Sequence, residues 1–373
     1  MLEKMEIENF KCYNTNKEIE LSKITACVGM NSVGKSSFIQ SILLLRQVYD
    51  NAEKYKDTNR TQFTIYLNDI YDLHLGTIEQ IFSSQNQIQI RFKVNGTYIF
   101  NFSSNEKEPL SLKINCAYDK EQLSQIGGVF SDKIYYLNAE RIGPRNYQKM
   151  VSQDYVHCGY HGEATYYAIN SMPRMYISEG RMFKQNNSQT TLLLEKQIEF
   201  WMNYIVPGVG LNFSQQDNLR IASFQVMQQA LDTGFSSPYN YGFGISYILP
   251  VIVTGLIAEK GSLIIVENPE AHLHPSGQSR IGRFLAQVAA DGVQVVVETH
   301  SEHVINGIRL AGLQNKMAAE DICIDYFSIN EECGENQVVR IELNERMDIT
   351  KWPDGFLDQE EKDLRELREM RRK

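Results

Sequence analysis

Eight residues constrain this chain more than any others: Gly29-Met30-Asn31-Ser32-Val33-Gly34-Lys35-Ser36, two glycines five positions apart followed at once by a lysine and a serine. An apolar run at 24–28 precedes them. After them, over 35–48, Phe38, Ile39, Ile42, Leu43 and Leu45 share one broad helical face with no glycine or proline to interrupt it. A short buried strand that feeds a glycine loop into a helix N-terminus is a unit of an α/β sheet. Glycines let the backbone wrap a chain of phosphates, and the amides at the helix start point at the anion. Lys35 is then expected to reach the outer phosphates, and Ser36 to offer its hydroxyl to magnesium. A glycine-bearing turn that binds nothing is the alternative, and the completeness of both pattern and flanks argues against it.

A second apolar strand, at 263–266, ends in Glu267-Asn-Pro-Glu270. Carboxylates at the carboxyl end of a strand stand where open parallel sheets gather their ligands. Glu267 is expected to support magnesium, often through a water, and Glu270 to polarise the attacking water. The same two carboxylates could instead cap a helix start; the phosphate loop weighs against that. A third apolar run, at 293–297, leads into Glu-Thr299-His300, which places Thr299 and His300 to meet a terminal phosphate or the attacking water. His272, His274, His300 and His303 lie on different elements without an accompanying cysteine, so zinc is not the expected reading.

Composition narrows the setting. The chain has 373 residues, 42% of them hydrophobic, enough for one large domain or two ordinary ones. Its six cysteines contain no Cys-x-x-Cys pair, which argues against a zinc site or a disulfide framework. The opening Met-Leu-Glu-Lys-Met-Glu lacks the basic and then apolar pattern of a signal peptide, and the nearly uncharged stretch 245–258 is shorter than the roughly 20 residues of a membrane helix. A cytoplasmic protein with no membrane partner is expected. The net charge of −9 disfavours indiscriminate nucleic-acid binding but leaves a local basic surface open.

Along the chain, residues 7–11 and 19–21 form an expected hairpin, and the alternation of Ile88, Ile90, Phe92 and Val94 predicts an antiparallel sheet within 64–102. Residues 133–138 look like a further core strand. Strands at 263–266 and 293–297 around a helix at 277–290 predict right-handed crossovers and a parallel sheet. Residues 245–258 predict a buried core helix, and the tail 358–373 a charged helix ending in a basic cluster. No internal repeat or sustained heptad pattern is present.

With these pieces in order, the chain resembles the ATP-binding-cassette and SMC-like ATPases, in the branch that includes RecF and the OLD (overcoming lysogenization defect) proteins. Ile-Glu-Asn-Phe-Lys before the loop resembles that branch's first strand, and Tyr241-Gly-Phe-Gly-Ile-Ser-Tyr its degenerate signature motif. Tyr136-Leu-Asn-Ala-Glu-Arg-Ile-Gly-Pro-Arg, Glu267-Asn-Pro-Glu-Ala-His-Leu-His-Pro and Trp352-Pro-Asp-Gly-Phe-Leu-Asp-Gln resemble a subgroup of ATPases from bacterial defence operons. The fold implied is an α/β ATPase head with a mixed core sheet, an attached antiparallel β subdomain and a partly helical insertion. Its implied divisions are an N-terminal lobe at 1–148, the insertion at 149–240, a C-terminal lobe at 241–345 and a tail at 346–373.

The resemblance also implies roles. Asn31, Ser32, Val33, Gly34, Lys35, Ser36 and Ser37 would hold ATP, with Ser36 and Glu267 on magnesium. Glu270 would be the hydrolytic base, His300 the switch histidine and Lys35 the phosphate charge. Gly242, Gly244 and Ser246 would act in trans on the nucleotide of the opposite subunit, which implies a homodimer or higher oligomer closed around ATP. The subgroup implies a separately encoded, nuclease-like effector; a RecF-like or OLD-type role on DNA is the alternative. Glu267 replaces the usual Walker B aspartate, Tyr247 stands where many relatives have glutamine, and Gln47 lies too near the loop to be the glutamine-loop residue. Arg141 and Arg145 would be charge stabilisers, partner contacts or turn residues beside Gly143-Pro144.

Overall fold

Side chains alternate across a buried strand, so a strand apolar on both sides must sit between two cores. The computed structural model describes residues 1–54, 62–82, 89–105, 108–115, 133–184, 191–228, 234–330, 333–353, 355–356 and 358–371. The chain starts with β1 (Lys4–Glu8), β2 (Lys17–Glu20), β3 (Ile24–Gly29), α1 (Lys35–Lys54), β4 (Gln62–Tyr66) and α2 (Ile78–Ile81). It continues with β5 (Gln89–Val94), β6 (Tyr98–Ser104), β7 (Ser111–Asn115), β8 (Ile134–Leu137), β9 (Tyr147–Lys149), α3 (Thr165–Asn170) and α4 (Leu194–Ile205). Next come β10 (Val209–Gln216), β11 (Ile221–Gln228), α5 (Phe243–Ile257), β12 (Leu263–Glu267), α6 (Pro275–Ala290) and β13 (Gln294–Thr299). The last elements are α7 (Glu302–Gln314), β14 (Ile322–Ile329), β15 (Asn336–Ile341) and α8 (Gln359–Met370).

The core sheet runs β15-β14-β3-β13-β12-β8. From β14 to β8 neighbouring strands are parallel, and β15 pairs antiparallel at the edge, so the sheet is mixed as expected. A second sheet, β2-β1-β5-β6-β7-β4, is antiparallel throughout, and a third, β10-β11-β9, has three strands. Phe92 and Val94 face the core of the second sheet beside Ile90, as their alternation predicts, whereas Ile88 lies outside the described residues. The hairpin strand spans Lys4–Glu8 where 7–11 was expected; it ends at Glu8 because Asn9 and Lys11 take positive φ (56° and 52°) and turn the chain.

Odd and even residues of the core strands separate the two cores. Ile24, Ala26, Val28, Ile264, Val266, Val295 and Val297 face a layer built by α4, α5, α6 and α7. Cys27, Leu263, Ile265, Val296 and Phe327 face α1 and the antiparallel sheet. The segment 149–240 contributes to the first of these cores: Trp201 of α4 packs edge-on against Phe284 of α6 at 4.8 Å, with Ile198 and Met202 beside it. Helix α5 is apolar nearly all round and buried from Ile248 to Ile257, as its composition predicts. Among the described residues no helix is long and apolar enough to cross a membrane.

One buried ion pair ties this layer together. Arg181 donates from Nε to Asp291 at 2.8 Å, and from Nη1 to the carbonyls of Gly255 (3.1 Å), Leu256 (3.4 Å) and Ala258 at the C-terminal end of α5. A cation here satisfies carbonyls that the helix leaves without partners and meets the negative end of its dipole. Asp291 also accepts from Ser178 at 3.0 Å and pairs with the exposed Lys260 at 2.8 Å. Removing Arg181 would leave a carboxylate and three carbonyls short of a partner. We expect Arg181→Met to cost about 3–5 kcal/mol, read as a lower urea midpoint at unchanged slope, and Lys260→Met to cost about 1 kcal/mol or less; equal effects of the two would contradict this account.

Candidate nucleotide site

The loop after β3 is held from three directions. Gly29 has φ 148°, and a Cβ there would stand 2.1 Å from the carbonyl oxygen of Phe327 on β14, so only glycine lets β3 approach so closely. Gly34 has φ 108°; a Cβ there would meet Cys12 Sγ and Tyr13 Oη at 2.9 Å. Tyr13 Oη donates to the Gly34 carbonyl at 2.8 Å, and Asn336 Nδ2 donates to the Val33 carbonyl at 2.8 Å. Thus the β1–β2 turn and the edge strand β15 both brace the loop. Met30, Asn31, Ser32 and Ser36 are exposed, while Val33, Gly34 and Lys35 are buried.

Lys35, only 3% exposed, donates to the carbonyls of Gly29, at 3.0 Å, and Met30. Burial holds its ammonium below the usual lysine range, partly offset by Glu298, whose Oε1 lies 3.9 Å away. Glu298 also accepts from Ser36 Oγ at 3.2 and 3.3 Å. Its carboxyl is pushed up to about 7, first by burial and then by the neighbouring charge of Glu267. Sequence reasoning passed over Glu298. The signal was present, a lone carboxylate ending an apolar strand, but its meaning depends on which strand lies beside β3.

That strand is β13. Glu298 is in register with Cys27 of β3 on one side and with Glu267 of β12 on the other. The Ser36 hydroxyl meets Glu298, and Glu267, expected to support magnesium through a water, stands one strand further out because β13 intervenes. Tyr136 Oη holds Glu267 at 2.7 Å, and burial lifts its carboxyl above the usual range. Ser36, Glu298 and Glu267 form a set of hard oxygen donors, which fits magnesium. Among the described residues no group of three His, Cys, Asp or Glu is arranged to cage a metal, so the fit is to a cation shared with phosphate and water.

Glu270 and His300, expected as base and switch, are brought together. The His300 amide donates to Glu270 Oε1 at 2.8 Å, while Glu270 Oε2 is buried with no hydrogen-bond partner among the described residues. The His300 ring meets the Gly29 backbone; burial and then the Lys35 charge hold its imidazole below the usual range. His274 is explained locally: it caps α6 and accepts from the Ser276 amide at 3.3 Å.

Arg141 is a strut. Only 2% exposed, it donates to the carbonyls of Asn138 (3.0 Å), Glu267 (2.6 Å) and Asn268, and its guanidinium lies 5.5 Å from the Tyr247 ring centroid. Burial lowers its pKa to about 10. It fixes the end of β12 where Asn268 turns with φ 45°. Arg145 donates to the Pro144 carbonyl at 2.9 Å. Gln47 is a strut as well, exchanging hydrogen bonds with the Tyr66 backbone at 2.9 and 3.1 Å and so tying α1 to β4.

In the glycine-rich turn before α5, Gly242 is the exposed N-cap, and a Cβ on Gly244 would stand 2.8 Å from the His272 carbonyl. Ser246 departs from expectation. It lies one turn inside the helix, 7% exposed, with a buried hydroxyl that lacks a partner among the described residues. Its helical phase turns it inward, whereas Gly242 at the N-cap is exposed. Tyr247 buttresses His272, ring to ring at 4.6 Å.

Comparison with known proteins bears on the family and the fold. The family described as AAA ATPase domain matches residues 1–207 and 183–305, and the family described as "Protein of unknown function (DUF3696)" matches 318–367. No curated protein matches the chain. Among solved structures, an SMC head bound to the C-terminal winged-helix domain of ScpA aligns with TM-score 0.53 and 14% identity, over 93% of this chain and 99% of that one. The SMC head of Thermotoga maritima aligns at 0.45 and 12%, over 92% and 99%, and an SMC head with extended coiled coil bound to ScpA, from Pyrococcus furiosus, at 0.49 and 13%, over 99% of each. The fold is that of an SMC-type head, and with the AAA ATPase domain spanning residues 1–305, the chain belongs to the AAA ATPase domain family.

Proposed function

We propose that this chain is a cytoplasmic, magnesium-dependent switch ATPase that closes as a homodimer around two ATP molecules and passes that closure to a separately encoded effector, nuclease-like or toxic, in anti-phage defence. The observation that carries the ATPase chemistry is the meeting of Lys35, Ser36, Glu298, Glu270 and His300 around one glycine loop. The dimer is supported by the exposed Gly242-Phe243 turn beside His272. Control of a partner is supported by analogy with the SMC head bound to ScpA, and the defence role by the motifs around Tyr136, Glu267 and Trp352.

In this reading Lys35 and the loop amides position the terminal phosphates. Magnesium, when held by Ser36 and Glu298 with Glu267 behind them, supplies positive charge to the phosphate oxygens. The His300 amide fixes one oxygen of Glu270 and leaves Oε2 to accept a proton from water. The water oxygen bonds to the γ phosphorus as the bond to the ADP oxygen breaks. Arg141 contributes by keeping the Glu267–Asn268 backbone in place.

Two measurements check this reading. Glu270→Gln should lower the ATP hydrolysis rate by about 100-fold or more while fluorescent-nucleotide binding persists, whereas Lys35→Ala should weaken both; a Glu270→Gln protein hydrolysing near the wild-type rate would sink the base assignment. For the dimer, Gly242→Arg is a clean probe because a Cβ there has no heavy atom within 4 Å. Inactive Lys35→Ala and Gly242→Arg subunits, when mixed, should recover part of the activity through one intact composite site. No recovery despite heterodimers confirmed by native mass spectrometry would refute action in trans.

A further inference from the structure

Helix α8 stands apart from both cores: its described side chains are all exposed, including Leu364 at 45%, Leu367 at 49% and Met370 at 61%. A helix of 12 residues is marginal in water without packing, and leucines three apart form a stripe that seeks a partner. Charge identifies the partner. Residues 358–363 carry four acidic side chains and one basic, whereas 364–373 carry five basic and two acidic.

We propose that α8 pairs with α8 of a second copy, antiparallel. Setting Leu364 of one copy opposite Leu367 of the other also sets Glu360 opposite Arg371, because both pairs are symmetric about the same point. The acidic half of each helix then lies along the basic half of its mate. Lys362 comes level with Glu369, Asp363 with Arg368 and Arg365 with Glu366, opposite signs in every case. A parallel pair would set each of these charges against its own kind. The helix is only ~18 Å long, so the contact falls below the area of a stable interface. It acts as a weak tether that raises the local concentration of a second head.

This pairing needs no nucleotide and does not rest on the closed ATP dimer, so the test omits ATP. Sedimentation equilibrium of the full chain in low-salt buffer should show weak self-association, abolished in the Leu364→Glu/Leu367→Glu variant. Glu360→Arg alone and Arg371→Glu alone each oppose like charges at both symmetric contacts, and should weaken association about threefold or more. Carrying both substitutions in one chain should return it to near the wild-type constant, an outcome that only the antiparallel register produces. All these positions are exposed, so unchanged thermal melting will certify the fold. A wild-type chain that stays monomeric at its highest soluble concentration would overturn the proposal. So would a double charge swap no better than the singles.

Discussion

The site depends on the lateral order of three parallel strands. With β13 between β3 and β12, the end of β3 delivers Lys35 and Ser36, β13 delivers Glu298 and His300, and β12 delivers Glu267 and Glu270. The order brings carboxylates to one sheet edge where burial strips their water. Burial first and then the Glu267 charge push the Glu298 carboxyl up to about 7, and the Lys35 ammonium is depressed by the same desolvation. Such a cluster is unfavourable for folding alone. The two cores, gripping the sheet on both faces, supply the stability that lets it persist.

Much of this was legible in the residues. The glycine loop, the apolar strands and the uninterrupted face of α1 are local signals, and the structure places them where local physics requires. Lateral strand order is not local, and so Glu298 could not be told from an ordinary strand-end charge. Ser246 shows a second limit: its orientation follows from α5 beginning at Phe243, and a shift of one residue in that start would swing a side chain by about 100°. The packing of 149–240 was hidden for another reason. Its sheet exposes Asn212, Ser214 and Gln225 on one face, which dilutes the alternation that Ala222, Phe224 and Val226 create on the other.

Two buried arginines show how the fold separates rigidity from chemistry. Arg181 gathers the C-terminal carbonyls of α5, and Arg141 gathers the carbonyls at the end of β12. Each guanidinium donates to two or more backbone oxygens, Arg181 while also pairing with Asp291, which a lysine could not satisfy with the same geometry. Arg141 lies close to the acidic cluster, yet its Nη1 and Nη2 donate to the backbone beneath. A charged residue near the phosphate loop therefore need not act on substrate, and hydrogen-bond direction decides the matter better than proximity.

The same separation orders the glycines. Gly29 and Gly34 are required by contacts inside the subunit, the Phe327 carbonyl and the Cys12–Tyr13 turn, whereas a Cβ on Gly242 would meet nothing within 4 Å. Conformational need does not explain Gly242 either, because its φ of −64° and ψ of 151° are open to any residue. A glycine kept at an exposed helix N-cap, beside Phe243 and the His272 turn, leaves bare amides and room for another surface to approach. Steric economy at the loop and steric emptiness at α5 are thus opposite settings for the same residue type, the first fixing the shape of the loop and the second leaving the α5 turn open.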